Sequence, residues 1–138
     1  MINDAKHEFA DAQAAFITDD VVLATGVIDF GVADPNQGAG QIKKIRVTIN
    51  TQFTGGTSIQ GMIVHAAAVT AVPVAADFVA DAAKLLTGPV ILIAAALPGV
   101  MIIEADLPTK HLRYVGVLIK CVGAVAAGKI DAQMNLTT

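Results

Sequence analysis

The sequence predicts an all-β protein, a jelly-roll-like β-sandwich with an N-terminal arm, and three observations carry that expectation. Apolar and polar residues alternate with a period of two, which sets one group on a buried face and the other in solvent. The alternating segments have strand length and are rich in β-branched residues. Turn-forming clusters separate them at short intervals: ADPNQGAG, TGG, LTGP, LPG, LPTK and GAVAAG. Short strands punctuated this regularly pack as sandwiches or jelly rolls.

Taken in order, residues 1–20 are Ala-rich, with sparse apolar anchors at Ile2, Phe9 and Phe16. They read equally as a helix or as an extended arm lying on another surface. Residues 21–138 read as a single sandwich domain, since no repeat or linker composition divides them. VVLATGVIDFG opens that domain. KKIRVTIN follows, with Ile45, Val47 and Ile49 facing one way and Lys44, Arg46 and Thr48 the other. TSIQGMIVHAAAV is the next strand. In AADFVADAAKLL, Phe78, Ala82 and Leu85 recur at helical spacing, so Ala75–Leu86 is a second segment open to a helical reading, as a short helix. PVILIAAAL and VMIIEADL are strands divided by Pro98-Gly99. LRYVGVLIKCV is another, and it is nearly apolar on both faces. After Gly128, Ile130, Ala132, Met134 and Leu136 alternate with polar Lys129, Asp131, Gln133 and Asn135 to give the last strand.

Composition bounds the function. Of 138 residues 54% are hydrophobic, but 25 are alanine and only 4% are aromatic. Small side chains bury little area each, at about 25 cal/mol per Å², so a core of this kind gains from packing against neighbouring subunits. The net charge is −3 and the nine Lys and Arg residues are scattered. No basic stripe is present to neutralise phosphates, which argues against a nucleic-acid partner. The single cysteine, Cys121, has no partner for an intrachain disulfide or a Cys-x-x-Cys site and reads as a small buried hydrophobe. The first residues, MINDAKHE, are charged and do not resemble a signal peptide. From Leu85 to Ile103 nineteen residues run without a charge, near the length that spans a bilayer. Gly88-Pro89 and Pro98-Gly99 interrupt that run, so two buried strands are expected and no membrane partner.

Motifs that would carry chemistry fail on context. Gly123, Gly128 and Lys129 in VGAVAAGKI have P-loop spacing, but Ile130 replaces the magnesium-binding hydroxyl and a strand follows where a helix is needed. Asp29-Phe30-Gly31 matches a kinase triplet in a chain far too short for a kinase. His7, His65 and His111 lack metal-ligand spacing. Asp77 and Asp81 would sit four apart on a solvated helix face. The only serine, Ser58, has no adjacent base. The sequence therefore offers no catalytic, cofactor-binding or metal-binding residues, and no enzyme is expected.

EFADAQAA, VIDFG, RVTINTQFTGGTSIQGMIV, LPTKHLRYVGVLIKCV and AGKIDAQMNL occur in an order that resembles the capsid cement proteins of short-tailed bacteriophages. The pattern runs from Asp11-Ala12-Gln13, through Asp29 with Gly31 and the FTGG turn, to Leu112-Arg113-Tyr114 and Ala127-Gly128-Lys129. The resemblance covers nearly the whole chain. It implies a jelly roll on the exterior of the virion capsid, made in the host cytoplasm. It further implies that the protein clamps subunits of the major capsid protein and associates with copies of itself as a dimer or trimer. Ile2, Phe9, Phe16 and Tyr114 are the candidate interface residues. A reading from another class is a β-sandwich module of a phage particle that recognises carbohydrate or host. Absence of Trp and the presence of only one Tyr speak against the aromatic platform it would use.

Overall fold

A computed structural model describes residues 8–14, 21–31, 42–78, 84–108 and 110–137. The strands are β1 (Glu8–Ala14), β2 (Val21–Leu23), β3 (Ile28–Asp29), β4 (Ile42–Gly55), β5 (Ser58–Ala66), β6 (Lys84–Leu92), β7 (Met101–Asp106), β8 (Tyr114–Val122) and β9 (Val125–Thr137). One sheet has the order β1-β9-β4-β7, and the other β2-β8-β5-β6 with β3 also pairing β8. All pairings are antiparallel.

The order is that of a rolled hairpin. The first strand meets the last (β1–β9), then β2 and β3 meet β8, β4 meets β7, and β5 meets β6. Rolling this ladder adds the β4–β9 and β5–β8 contacts and yields the jelly roll expected from the sequence. Alternation decides which side chains fill the space between the sheets. Ile45, Val47 and Ile49 of β4 and Ile130, Ala132 and Met134 of β9 meet Ile59 and Ile63 of β5 and Val115, Val117, Ile119 and Cys121 of β8. On β5 the inward position between Ile59 and Ile63 is Gly61. A Cβ there would stand 2.7 Å from Cγ2 of Ile102, so the missing side chain lets β7 close onto the facing sheet.

Three expectations change. LTGP is not a turn: Leu86–Pro89 lies within β6, where Gly88-Pro89 only shifts the register, and that strand leaves Val90 and Leu92 exposed. Residues 75–86 do not form a helix: one turn of 3-10 helix spans Ala75–Phe78, and Lys84–Leu92 is already β6. Phe78 lies fully buried on the outside of the second sheet with Met62, Val64 and Leu118, while Leu86 pairs with Ile63 in the ladder. Tertiary burial of these two side chains in different layers outweighs the helical spacing; Ala82 lies outside the described residues. The last strand also starts earlier than its alternation predicts, at Val125. Val125 is itself buried, so GAVAAG is mostly strand and only Gly123 and Ala124 make the link from β8.

The uncharged run Leu85–Ile103 forms most of β6, a second 3-10 turn at Ile93–Ala95, and the start of β7. Among the described residues no helix is long and apolar enough to cross a membrane.

Candidate functional site

The sequence motifs meet one another in space. β3 lies against the start of β8, with Ile28 opposite Val115 and Asp29 opposite Tyr114, and the Phe30 amide donates to the Arg113 carbonyl. This register brings VIDFG and LRYVG together. Arg113 donates from Nε and Nη2 to both carboxylate oxygens of Asp29, at 2.7 and 2.8 Å, the bidentate geometry that a planar guanidinium favours. The Gly31 amide donates a further bond to Asp29 at 2.8 Å. Gly31 needs its φ of +84° to turn back toward that carboxylate. The Arg113 guanidinium, followed by the Gly31 amide, holds the Asp29 carboxyl down at about 2.

An aromatic ring flanks this ion pair, and a cation–aromatic–imidazole row continues from the next residue, Phe30. Arg113 lies 4.9 Å from the centre of the Tyr114 ring, Lys43 stands 4.7 Å over Phe30, and Phe30 is 4.7 Å from His111. Burial lowers the pKa of Lys43. Two of the histidines, His65 and His111, isolated in sequence, converge on Leu112, while His7 lies outside the described residues. Its amide donates to Nδ1 of His65 at 3.0 Å, and Nδ1 of His111 lies 2.8 Å from its carbonyl. His65 therefore accepts at Nδ1 while His111 donates from it. These contacts fasten the approach to β8 onto the ends of β3 and β5. Among the described residues no three His, Cys, Asp or Glu side chains gather to hold a metal ion.

The other motifs also act in pairs. Gln13 accepts from the Thr25 amide at 2.9 Å and donates to the Leu23 carbonyl at 3.4 Å, tying β1 to the bend between β2 and β3. Phe53 of FTGG is fully buried against Gly128 of AGK, inside β9. Lys129, the lysine of the P-loop spacing, is exposed and stands opposite Thr51 on β4. No helix follows it, so its neighbouring amides belong to a sheet ladder and do not form a phosphate cradle.

Among the candidate interface residues, Phe9 is only 1% exposed and sits in the main core beside Ala10. It is thus spent on the chain's own sandwich, because β1 is an edge strand of the first sheet. Tyr114 is half-buried beside Arg113. Ile2 and Phe16 lie outside the described residues.

The two outer faces of the sandwich differ. On the first sheet, Arg46 and Lys44 both reach Glu104, at 2.8 and 3.7 Å, and Asn50 donates to Asp131 at 3.0 Å. Glu8, Asp11, Arg46, Thr48, Asp131 and Gln133 line a polar depression there. On the second sheet, Val21, Leu23, Met62, Val64 and Leu118 point outward, and Phe78 and Ala75 cover one half. The other half is open. Val122, Ser58 and Leu92 form one cross-strand row, and Lys120, Gln60 and Val90 form the next. Leu92 is 62% exposed, Val90 59% and Val122 40%.

A family model described as Bbp16 matches residues 9–134, from Phe9 in β1 to Met134 in β9. The chain belongs to the Bbp16 family. No curated protein matches it. The name Bbp16 points to a phage-related protein. The Bbp16 match touches all nine strands, and it contains Gln13, the Asp29–Arg113 pair and the Phe53–Gly128 contact. Sequence reasoning picked out these motifs but not their pairing. It missed the open stripe of Val90, Leu92 and Val122, whose signals were the apolar run PVILIAAAL and the two-sided apolar character of LRYVGVLIKCV.

Proposed function

We propose that this Bbp16 protein is a structural virion component, a capsid cement or decoration protein on the outside of the shell. It stabilises contacts between subunits of the major capsid protein and works together with copies of itself, as a dimer or trimer. The observation that carries this reading is the asymmetry of the sandwich. One outer face is polar and internally paired, while the other leaves an apolar stripe open to solvent. Val90 and Leu92 stand exposed side by side on β6, with Val122 two strands away across the buried Ser58, and exposed aliphatic clusters of this kind mark interaction surfaces. The paired motifs support it from another side, since they fasten strands of the sandwich together.

The mechanism is linkage. A protein that binds the assembled shell but not the separated subunits stabilises assembly by an amount that grows with its free concentration over its Kd. The test is to compare particles lacking this protein with the same particles after it is added back. Decorated shells are expected to break at higher temperature and under higher internal pressure. Identical breakage of bare and decorated shells would overturn the reading.

A further inference from the structure

We infer that the open half of the outer face of the β2-β8-β5-β6 sheet is the surface that meets the shell, and that it takes an aliphatic segment carrying a carboxylate. This inference rests on the cement reading and names the surface and the chemistry it uses. The face is one apolar layer divided in two. Where Phe78 and Ala75 lie on it, Met62, Val64 and Leu118 are sealed by the chain itself. Past Phe78 the layer continues through a depression of about 190 Å³, lined by Val21, Met62, Phe78, Leu118 and the rims of Gln60 and Lys120. It ends at the bare Val90, Leu92 and Val122.

Charge selects the occupant. Lys120 stands in the middle of the open rows, opposite Gln60 and beside Val21. It is exposed, and among the described residues no hydrogen bond or ion pair ties its ammonium group. Two cations of the opposite face, Lys44 and Arg46, by contrast share Glu104, and the exposed Lys129 there stands opposite polar Thr51 and away from any apolar row. A partner that covers the stripe must leave Lys120 solvated or bring it a carboxylate; desolvating it unpaired is costly. From the described part of this face a second copy has one carboxylate, Asp77, and its oxygen is turned toward its own loop. Asp77, on the covering loop, is already held by the Val74 amide at 2.9 Å and the Thr70 hydroxyl at 3.0 Å.

Edge geometry sets the mode. β6 borders this half of the sheet, and Gly88-Pro89 breaks its register between Val90 and Thr87. Pro89 has no N–H to offer, and such residues blunt an edge against added strands. The partner therefore lies across the face and is read through its side chains.

The experiment is co-sedimentation with shells of the parent phage that lack this protein, using wild type, Leu92→Asp, Val122→Asp, Lys120→Glu and Lys129→Glu. Lys129→Glu is the control on the opposite sheet. The face variants are expected to bind at least about tenfold more weakly, and Lys129→Glu as wild type. Wild-type binding should weaken with salt, and Lys120→Met should flatten that dependence, a readout that a purely apolar patch would not give. All the substituted positions are exposed, so unchanged melting temperatures establish that folding is intact. Wild-type binding that the face variants retain would overturn the inference and leave the cement reading standing. A solution oligomer that Leu92→Asp dissociates, with shell binding unchanged, would assign the face to a second copy and overturn it equally. Failure of the wild type to bind shells at all would overturn the cement reading and the inference with it.

Discussion

The Phe53 ring fills the space that a Cβ on Gly128 would need, with Cγ and Cδ1 2.6 Å from that position. Gly128 has φ of +152°, and the β4–β9 register shifts between Thr51 and Thr54 opposite it. The two residues form one device: the bulge aims Phe53 inward and the glycine gives the ring room. Gly128→Ala is expected to cost on the order of 3 kcal/mol, from backbone strain together with overpacking. Denaturant unfolding would measure it. Lys129→Ala should leave stability unchanged, and ATP titration of the wild type should show no binding for that substitution to remove.

The Asp29–Arg113 pair should make stability depend on pH in the acid range. Asp29 ionises at about 2 in the folded protein, below its ordinary 3.8, so the unfolded chain binds the proton more readily. The contribution is fully present above about pH 4 and is lost as pH falls through about 2. Melting curves of wild type and Asp29→Asn should differ by a constant amount from pH 7 down to about 4. They should converge below that. A gap that persists undiminished at pH 2 would show that the carboxylate is not its source.

Cys121 offers a probe of opening. The thiol is 1% exposed, and burial pushes its pKa up to about 11. Thiolate is the reactive form, so labelling by a disulfide reagent at pH 8 should be negligible in the native protein. It should become fast in denaturant. The native labelling rate then reports opening of the sheet around β8, and rapid labelling without denaturant would contradict the burial.

Phe78 seals half of an otherwise apolar face. Phe78→Ala should destabilise by roughly 3–4 kcal/mol and increase binding of a hydrophobic dye, since Met62, Val64 and Leu118 lose their cover. A loss of stability without new dye binding would mean that the 66–78 segment closes over the gap.

The sequence by itself determined the class of fold and the inward set of each strand. A period of two leaves no choice about which of Ile45, Val47 and Ile49 or Lys44, Arg46 and Thr48 is buried once water is on one side. It also marked some of the turns, since Gly123, Gly99 and the Gly55-Gly56 pair adopt positive φ at or beside links between strands, but not all: LTGP lies within β6 and most of GAVAAG within β9. It could not show that Asp29 meets Arg113, 84 positions away, or that Phe53 rests on Gly128. Such pairs follow from strand order, which is fixed by nonlocal packing and leaves no local periodicity. The helical spacing of Phe78, Ala82 and Leu85 misled for the same reason: Phe78 goes to the outer layer, while Leu85, in β6, packs against the main core. Tertiary structure alone decided that LRYVGVLIKCV, apolar on both sides, is covered near Leu118 by the chain's own Phe78 and left open at Val122. A strand's pattern tells that a face wants burial; only the roll of the sheets settles which part of it the chain can reach.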